Sequence, residues 1–164
     1  MIDIFLMIYI LFSRLFELFL SRRNTKKLVE QGGVEYFGSH YYLIVIFHVF
    51  FICFFIFKSF SNLNINIEYF YAFCVIQILR YKIIFELGVY WTTRIIVIEK
   101  PLVNTWMFKY FRHPNYIVVF IEVILVCLFF GDLIPLIFFS FINFILLGVR
   151  IFYEEKANKF RRKI

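Results

Sequence analysis

The chain has 164 residues, 63% of them hydrophobic, and a mean hydropathy of +0.83. That exceeds what a soluble globular domain carries and places the chain among integral membrane proteins. The net charge of +7 falls in short clusters beside apolar runs, as in cytoplasmic membrane loops, which argues against a nucleic-acid partner.

About five apolar runs are long enough to cross a bilayer: residues 2–20, 42–60, 67–87, 116–130 and 133–152. The expected architecture is all-α and integral to the membrane, a single domain over 1–164 that ends in a helical hairpin. The first run has no basic residue before it and is followed by Arg22, Arg23, Lys26 and Lys27, so it reads as a retained anchor with its N-terminus outside. Arg14 and Glu17 lie three apart on one face of it and read as an internal ion pair. His40 and His48 in the second run, and His113 further on, lack metal-ligand spacing, so no metal site is expected. Cys53, Cys74 and Cys127 each sit inside an apolar run, without disulfide-type spacing.

After the second run, "KSFSNLNINIE" holds only Lys58 and belongs outside. In the third run, Gln77 and Arg80 have two readings, facing a cytoplasmic site or snorkelling to the interface. Arg94, Lys100, Lys109 and Arg112 follow it and belong inside, as does the tail with Lys156, Lys159, Arg161, Arg162 and Lys163. Glu122 and Asn143 are candidates to meet across the last two runs by an interhelical hydrogen bond. The turn "GDLIP" between those runs is short and uncharged by any base, so they should pack as an antiparallel hairpin.

That hairpin brings Arg112-His113-Pro114-Asn115-Tyr116 beside Arg150, Glu154 and Glu155. Pro114 suits a first helical turn, where the backbone N–H has no partner anyway, and it biases His113 toward an extended backbone. Arg150 and Glu154, spaced i,i+4, form a helix-end salt bridge in the plainer reading. Together the two segments outline a pocket with an Arg, a His, a Tyr and two carboxylates next to lipid.

At these residues the sequence resembles the isoprenylcysteine carboxyl methyltransferase family, which is related to phospholipid methyltransferases. The shared pattern is RHPxY at the start of one span and R-x-x-x-E-E at the end of the next. The similarity extends upstream through "LRYKIIFELGVYWTTRIIVIEK", Leu79 to Lys100. "RLFEL", "SRRN" and "GGVEYFGSHYY" are similar, more loosely, to a bacterial branch that includes methyltransferases of long-chain alkylpyrones. One departure stands out: where members usually carry Gly-x-Tyr, this chain has Trp106-Met107-Phe108.

The resemblance implies S-adenosylmethionine as methyl donor, held by a cytoplasmic region of residues 88–116 and 150–160. Carried over by position, Lys100, Leu102, Val103, Phe108, His113, Pro114, Asn115, Tyr116 and Glu154 contact the cofactor, with Glu155 adding negative charge. Arg150 faces the substrate and orients a carboxylate acceptor, and His113 serves as base if the acceptor is a hydroxyl. The acceptor is lipophilic: a prenylated cysteine, a long-chain polyketide, a fatty acid or a phospholipid amine. The implied location is a bacterial inner membrane, multi-pass, with the C-terminus in the cytoplasm. Two other classes compete. A non-enzymatic membrane scaffold or carrier keeps the hairpin only for packing, and a membrane reductase requires a nicotinamide site for which the chain has no phosphate-binding loop.

Overall fold

The computed structural model describes residues 2–61, 65–99, 108 and 110–159. Five long helices dominate: α1 (Ile2–Glu30), α2 (Ser39–Lys58), α3 (Ile67–Leu87), α4 (Pro114–Phe129) and α5 (Leu133–Ala157). A 3-10 turn, Gly88–Tyr90, follows α3, and two short strands, β1 (Val34–Tyr36) and β2 (Ile95–Val97), pair antiparallel with Val34 opposite Val97. The described fold is mostly helical, as expected, and the ribbon is the one addition to the all-α reading among the described residues. Three residues per strand are too few for an alternating pattern to register against the apolar background.

Helix α1 runs past the expected boundary at Leu20 because nothing in Ser21 to Glu30 breaks a helix. It stops at Gly32, whose φ of +89° suits only glycine without strain. Gly33 N then donates to Leu28 O at 2.8 Å and Gly32 N to Val29 O at 3.0 Å, a Schellman termination. Helix α5 likewise continues beyond residue 152 and carries Glu154 and Glu155 on helical backbone.

Consecutive helices alternate in direction. At one end Lys58 meets Asp132, and Asn66 N donates to Phe129 O at 2.9 Å. Asp132 also caps α5 by accepting from Ile134 N at 3.2 Å. An aromatic core lies toward that end, where Phe139 sits among Phe47, Phe51 and Phe55, its ring 5.0 Å from that of Phe51. At the opposite end α1, α3, α4, α5 and the ribbon converge.

The exterior is apolar. Phe12 on α1, Leu43 on α2, Ile78 on α3 and Phe141 on α5 are all exposed, as suits a bundle dissolved in lipid rather than water. By length and composition α1, α2 and α5 can each cross a membrane, and only 28% of each apolar window is buried by the protein itself, which leaves the rest for lipid. Helix α4, with 16 residues, is shorter, and α3 carries Glu68, Arg80, Lys82 and Glu86. The chain is therefore a membrane protein with three helices that qualify as spans on their own.

At mid-depth the helices are joined by a charged network. Arg14 donates to Glu17 at 3.0 Å and to Glu122 at 2.8 Å. Arg80 forks onto Glu17, with Nη2 to Oε2 at 2.6 Å, and also reaches Glu122. Gln77 donates to the other Glu122 oxygen at 2.6 Å, and Tyr9 donates to Gln77 at 3.2 Å. Two Arg and two Glu cancel in charge, so the network tolerates burial among α1, α3 and α4. The Arg14 and Glu17 pair thus forms, but as one edge of a larger cluster. Glu122 does not meet Asn143, which instead donates to Val119 O at 3.5 Å, because the two arginines already occupy the carboxylate. Gln77 and Arg80 face this interior network rather than the membrane surface: Arg80 is 2% exposed.

Candidate functional site

The end of the bundle opposite Asp132 holds the polar cluster. Pro114 opens α4 after His113, whose φ of −134° and ψ of 58° are neither helical nor the fully extended backbone expected before a proline, because His113 is held by its contacts to Tyr116 and Glu155. One turn into α4, the Tyr116 hydroxyl accepts from Arg150 Nε at 2.9 Å and donates to Glu154. The tyrosine therefore sits where the sequence suggested a direct Arg150 and Glu154 bridge. Arg150 turns its Nη1 to Thr93 O at 2.7 Å, and its guanidinium lies 5.5 Å from the centre of the Tyr116 ring. His113 stacks on Tyr116 with ring centres 5.5 Å apart, and its Nε2 is 2.8 Å from Glu155. Asn158 closes α5 by donating to Glu154 O at 3.0 Å.

Two cavities meet here. The larger, about 560 Å³, opens at the end of the bundle and is bordered by Arg94, Arg112, His113, Glu154 and Asn158. The smaller, about 170 Å³, runs between α1 and α2, and its lining includes aliphatic side chains such as Leu11, Leu18, Ile44 and Val45. Its wall includes Leu15 and Val49, which are 52% and 55% exposed, so it communicates with the lipid-facing surface. Trp91, Thr92, Asn115, Tyr116 and Arg150 line both cavities and form the partition between them.

Of the residues the sequence singled out, His113, Pro114, Asn115, Tyr116, Arg150 and Glu154 come together around the larger cavity, and Phe108 joins its wall. Phe108 also packs against the Ile83 and Val118 cluster. Glu155 stands outside the lining and acts on His113. Lys100, Leu102 and Val103 lie outside the described residues, as do Trp106 and Met107.

The sequence reading missed the segment that completes the partition. Asn24 Nδ2 donates to Gly88 O at 3.0 Å and Trp91 O at 2.8 Å, while Ser21 Oγ lies 2.7 Å from Thr93 Oγ1 and accepts from Thr93 N at 2.9 Å. This clamp fixes Trp91, Thr92 and Thr93 against α1. A signal was present: Glu17, Ser21, Asn24 and Leu28 recur at helical spacing on one buried face of α1. Beyond the clamp, Arg94 bonds Glu35 at 2.7 Å and lies 4.9 Å from the centre of the Tyr41 ring, and the Glu35 carboxylate holds its guanidinium above the ordinary value.

The fold and this polar cluster describe a lipid-exposed helical bundle with a concentration of polar side chains and two cavities at one end. Comparison with known proteins names the class: the isoprenylcysteine carboxyl methyltransferase (ICMT) family model matches residues 65–159. The chain belongs to that family, one of membrane methyltransferases. It is also similar to the uncharacterized protein YpbQ of Bacillus subtilis (strain 168), 34% identical over 152 residues that cover 88% of this chain and 89% of that one. A second uncharacterized protein, from Haemophilus influenzae, is 33% identical over 154 residues, 90% of each chain. No solved structure gives a significant match.

Proposed function

We propose that the protein is an S-adenosylmethionine-dependent O-methyltransferase acting on a lipophilic acceptor that carries a carboxylate or an acidic hydroxyl. The observation that carries this reading is the meeting of a polar cavity and a lipid-connected apolar cavity at Tyr116 and Arg150. A water-soluble cofactor and a membrane-dissolved substrate need two such entrances and one shared wall.

The residues of the larger cavity suit the cofactor. Its volume lies within the usual range of small-molecule sites. Its sulfonium and ammonium are cationic, and the wall offers the Glu154 carboxylate, the Tyr116 ring and the Asn115 Oδ1, a buried acceptor with no partner within the protein. Glu154, Tyr116, Asn115, Pro114, His113 and Phe108 would hold it, with Lys100, Leu102 and Val103 contributing by family analogy. Bound there, the cofactor supplies an electrophilic methyl group.

The protein's own part is to position and to exclude water. Arg150, fixed by Tyr116 and Thr93, orients the acceptor's anionic oxygen through its remaining N–H groups, and a carboxylate then needs no base. For a hydroxyl acceptor His113 takes the proton. Glu155 on its Nε2 favours the tautomer that leaves Nδ1 basic. His113 lines only the larger cavity, so this role applies to an acceptor whose head group reaches past Tyr116.

We also read the chain as one membrane-embedded domain with five spans, α3 and α4 included, and the last two as a hairpin. Arg22, Arg23, Lys26, Lys27, Arg94, Arg112, Lys156 and Lys159 all belong to the polar end, whereas Lys58 at the other end is paired with Asp132. By the positive-inside rule the site and C-terminus are cytoplasmic and the N-terminus is outside.

Isothermal titration of S-adenosylhomocysteine into the detergent-solubilised protein tests the reading. The wild type should bind and Glu154→Gln should not. A folded wild type that gives no heat with either cofactor form overturns it.

A further inference from the structure

Five buried side-chain polar atoms among the described residues lack a hydrogen-bond partner within the protein: Thr25 Oγ1, His40 Nε2, Trp91 Nε1, Asn115 Oδ1 and Ser140 Oγ. Two of the five, on Trp91 and Asn115, lie in the partition that both cavities share. Trp91 is 3% exposed, and its indole N–H can donate but never accept. A buried donor without an acceptor is costly, and a ligand that supplies the acceptor removes that cost.

The segment bearing Trp91 is held from behind, since Asn24 takes the Trp91 carbonyl and Ser21 takes Thr93. Beside it Arg150 commits Nε to Tyr116 and Nη1 to Thr93 O, which leaves Nη2 uncommitted. The other cations of the apolar cavity, Arg14 and Arg80, are spent on Glu17 and Glu122. The uncommitted groups that Trp91 and Arg150 bring to the partition, Nε1 and Nη2, are therefore donors, and the second belongs to a full positive charge. Asn115 Oδ1, a buried acceptor of the partition without a partner within the protein, suits the cationic cofactor.

We propose that Trp91 is an acceptor-binding residue: its Nε1–H, with Nη2 of Arg150, hydrogen-bonds the acidic oxygen head group of a long-chain substrate. The substrate class is then an oxygen acid, a carboxylate or an ionised enol, and not a lipid amine, whose ammonium would meet donors and a like charge. Because the indole donor is neutral and the guanidinium charged, both stabilise the ionised oxygen without competing for its proton. The assignment of an acceptor site rests on the methyltransferase reading above.

The test uses the full chain in lipid nanodiscs and two probes of equal chain length, palmitate and hexadecylamine. Equilibrium binding should favour palmitate in the wild type, and Trp91→Phe should weaken palmitate binding by about tenfold, the scale of a lost hydrogen bond to a charged group. Trp91→His, which restores an N–H, should recover part of that loss, and S-adenosylhomocysteine affinity should fall much less than palmitate affinity in both variants. Palmitate binding by Trp91→Phe equal to wild type, or a wild-type preference for the amine, overturns the proposal. A loss of palmitate and S-adenosylhomocysteine binding together in Trp91→Phe, unrecovered by Trp91→His, also overturns it in favour of a purely structural tryptophan. Failure of wild-type S-adenosylhomocysteine binding counts against the methyltransferase reading alone, and the palmitate and amine arms decide the role of Trp91 independently.

Discussion

The charged network at mid-depth and the polar cluster at the helix ends use nearly the same residue types to opposite effect. In the network, both oxygens of Glu17 and of Glu122 are taken, and Arg14 and Arg80 bond both carboxylates. In the cluster, Arg150 keeps an uncommitted edge, Trp91 and Asn115 keep unpaired atoms, and two cavities adjoin them. Complete pairing inside a bilayer fixes helices to one another. Incomplete pairing next to a cavity leaves interaction energy for a ligand, and that contrast is the physical basis for reading the first group as structural and for proposing the site at the second.

The sharpest way to break the contrast is to strand charge in the network. Arg80→Leu leaves two carboxylates buried with one cation, and should cost about 3–5 kcal/mol of stability, read from denaturant unfolding in micelles. Replacing Arg14, Glu17, Arg80 and Glu122 together by apolar residues should cost less, since nothing is left unpaired. If Arg80→Leu unfolds at the wild-type midpoint, the network does not clamp the helices.

Arg150→Lys probes the other side. Lysine keeps the charge but cannot hold Tyr116 and Thr93 while presenting a third donor, so acceptor turnover should fall by about 2 kcal/mol of transition-state stabilisation, roughly thirtyfold. Its unfolding midpoint should stay well above that of Arg80→Leu. Equal destabilisation by the two substitutions would erase the distinction between the regions.

Asp132→Ala removes the α5 cap and the partner of Lys58 at the far end, and should cost about 1 kcal/mol without altering cofactor binding. The Lys58 ammonium holds the Asp132 carboxyl below its ordinary value. A carboxyl depressed in the folded state contributes stability above its unfolded pKa and loses it as pH falls through the lowered one. The gap between wild type and Asp132→Ala should therefore close in acid, below about pH 4. A gap that widens on acidification would refute the pairing. The smallest effect is expected from Asn143→Leu, about 0.6 kcal/mol for one interhelical hydrogen bond in lipid, seen as a slight midpoint shift. A loss as large as that of Arg80→Leu would tie Asn143 to the network after all.

Much of this molecule was legible from its residues. Apolar runs located the five helices, since helix formation in lipid is dictated by segment hydrophobicity and the need to satisfy backbone groups internally. The motif residues around His113 and Arg150 marked one end of the last two helices, and the family assignment agrees with them. Boundaries were less legible. Charged residues such as Arg22 and Lys26 end an apolar run but not a helix, so α1 continued until Gly32.

Partners at long range were not legible at all. Which carboxylate Arg80 would choose, whether Glu122 would find Asn143 or an arginine, and that Ser21 and Asn24 would grip the Trp91 segment all depend on which faces of α1, α3 and α4 meet. Composition and motif by themselves determined a helical membrane protein of a methyltransferase family with its RHPxY and R-x-x-x-E-E residues at one end. The tertiary structure decided the pairing, because a hydrogen bond or ion pair needs atoms within about 3 Å, and only the packed helices set distances between residues far apart in the chain.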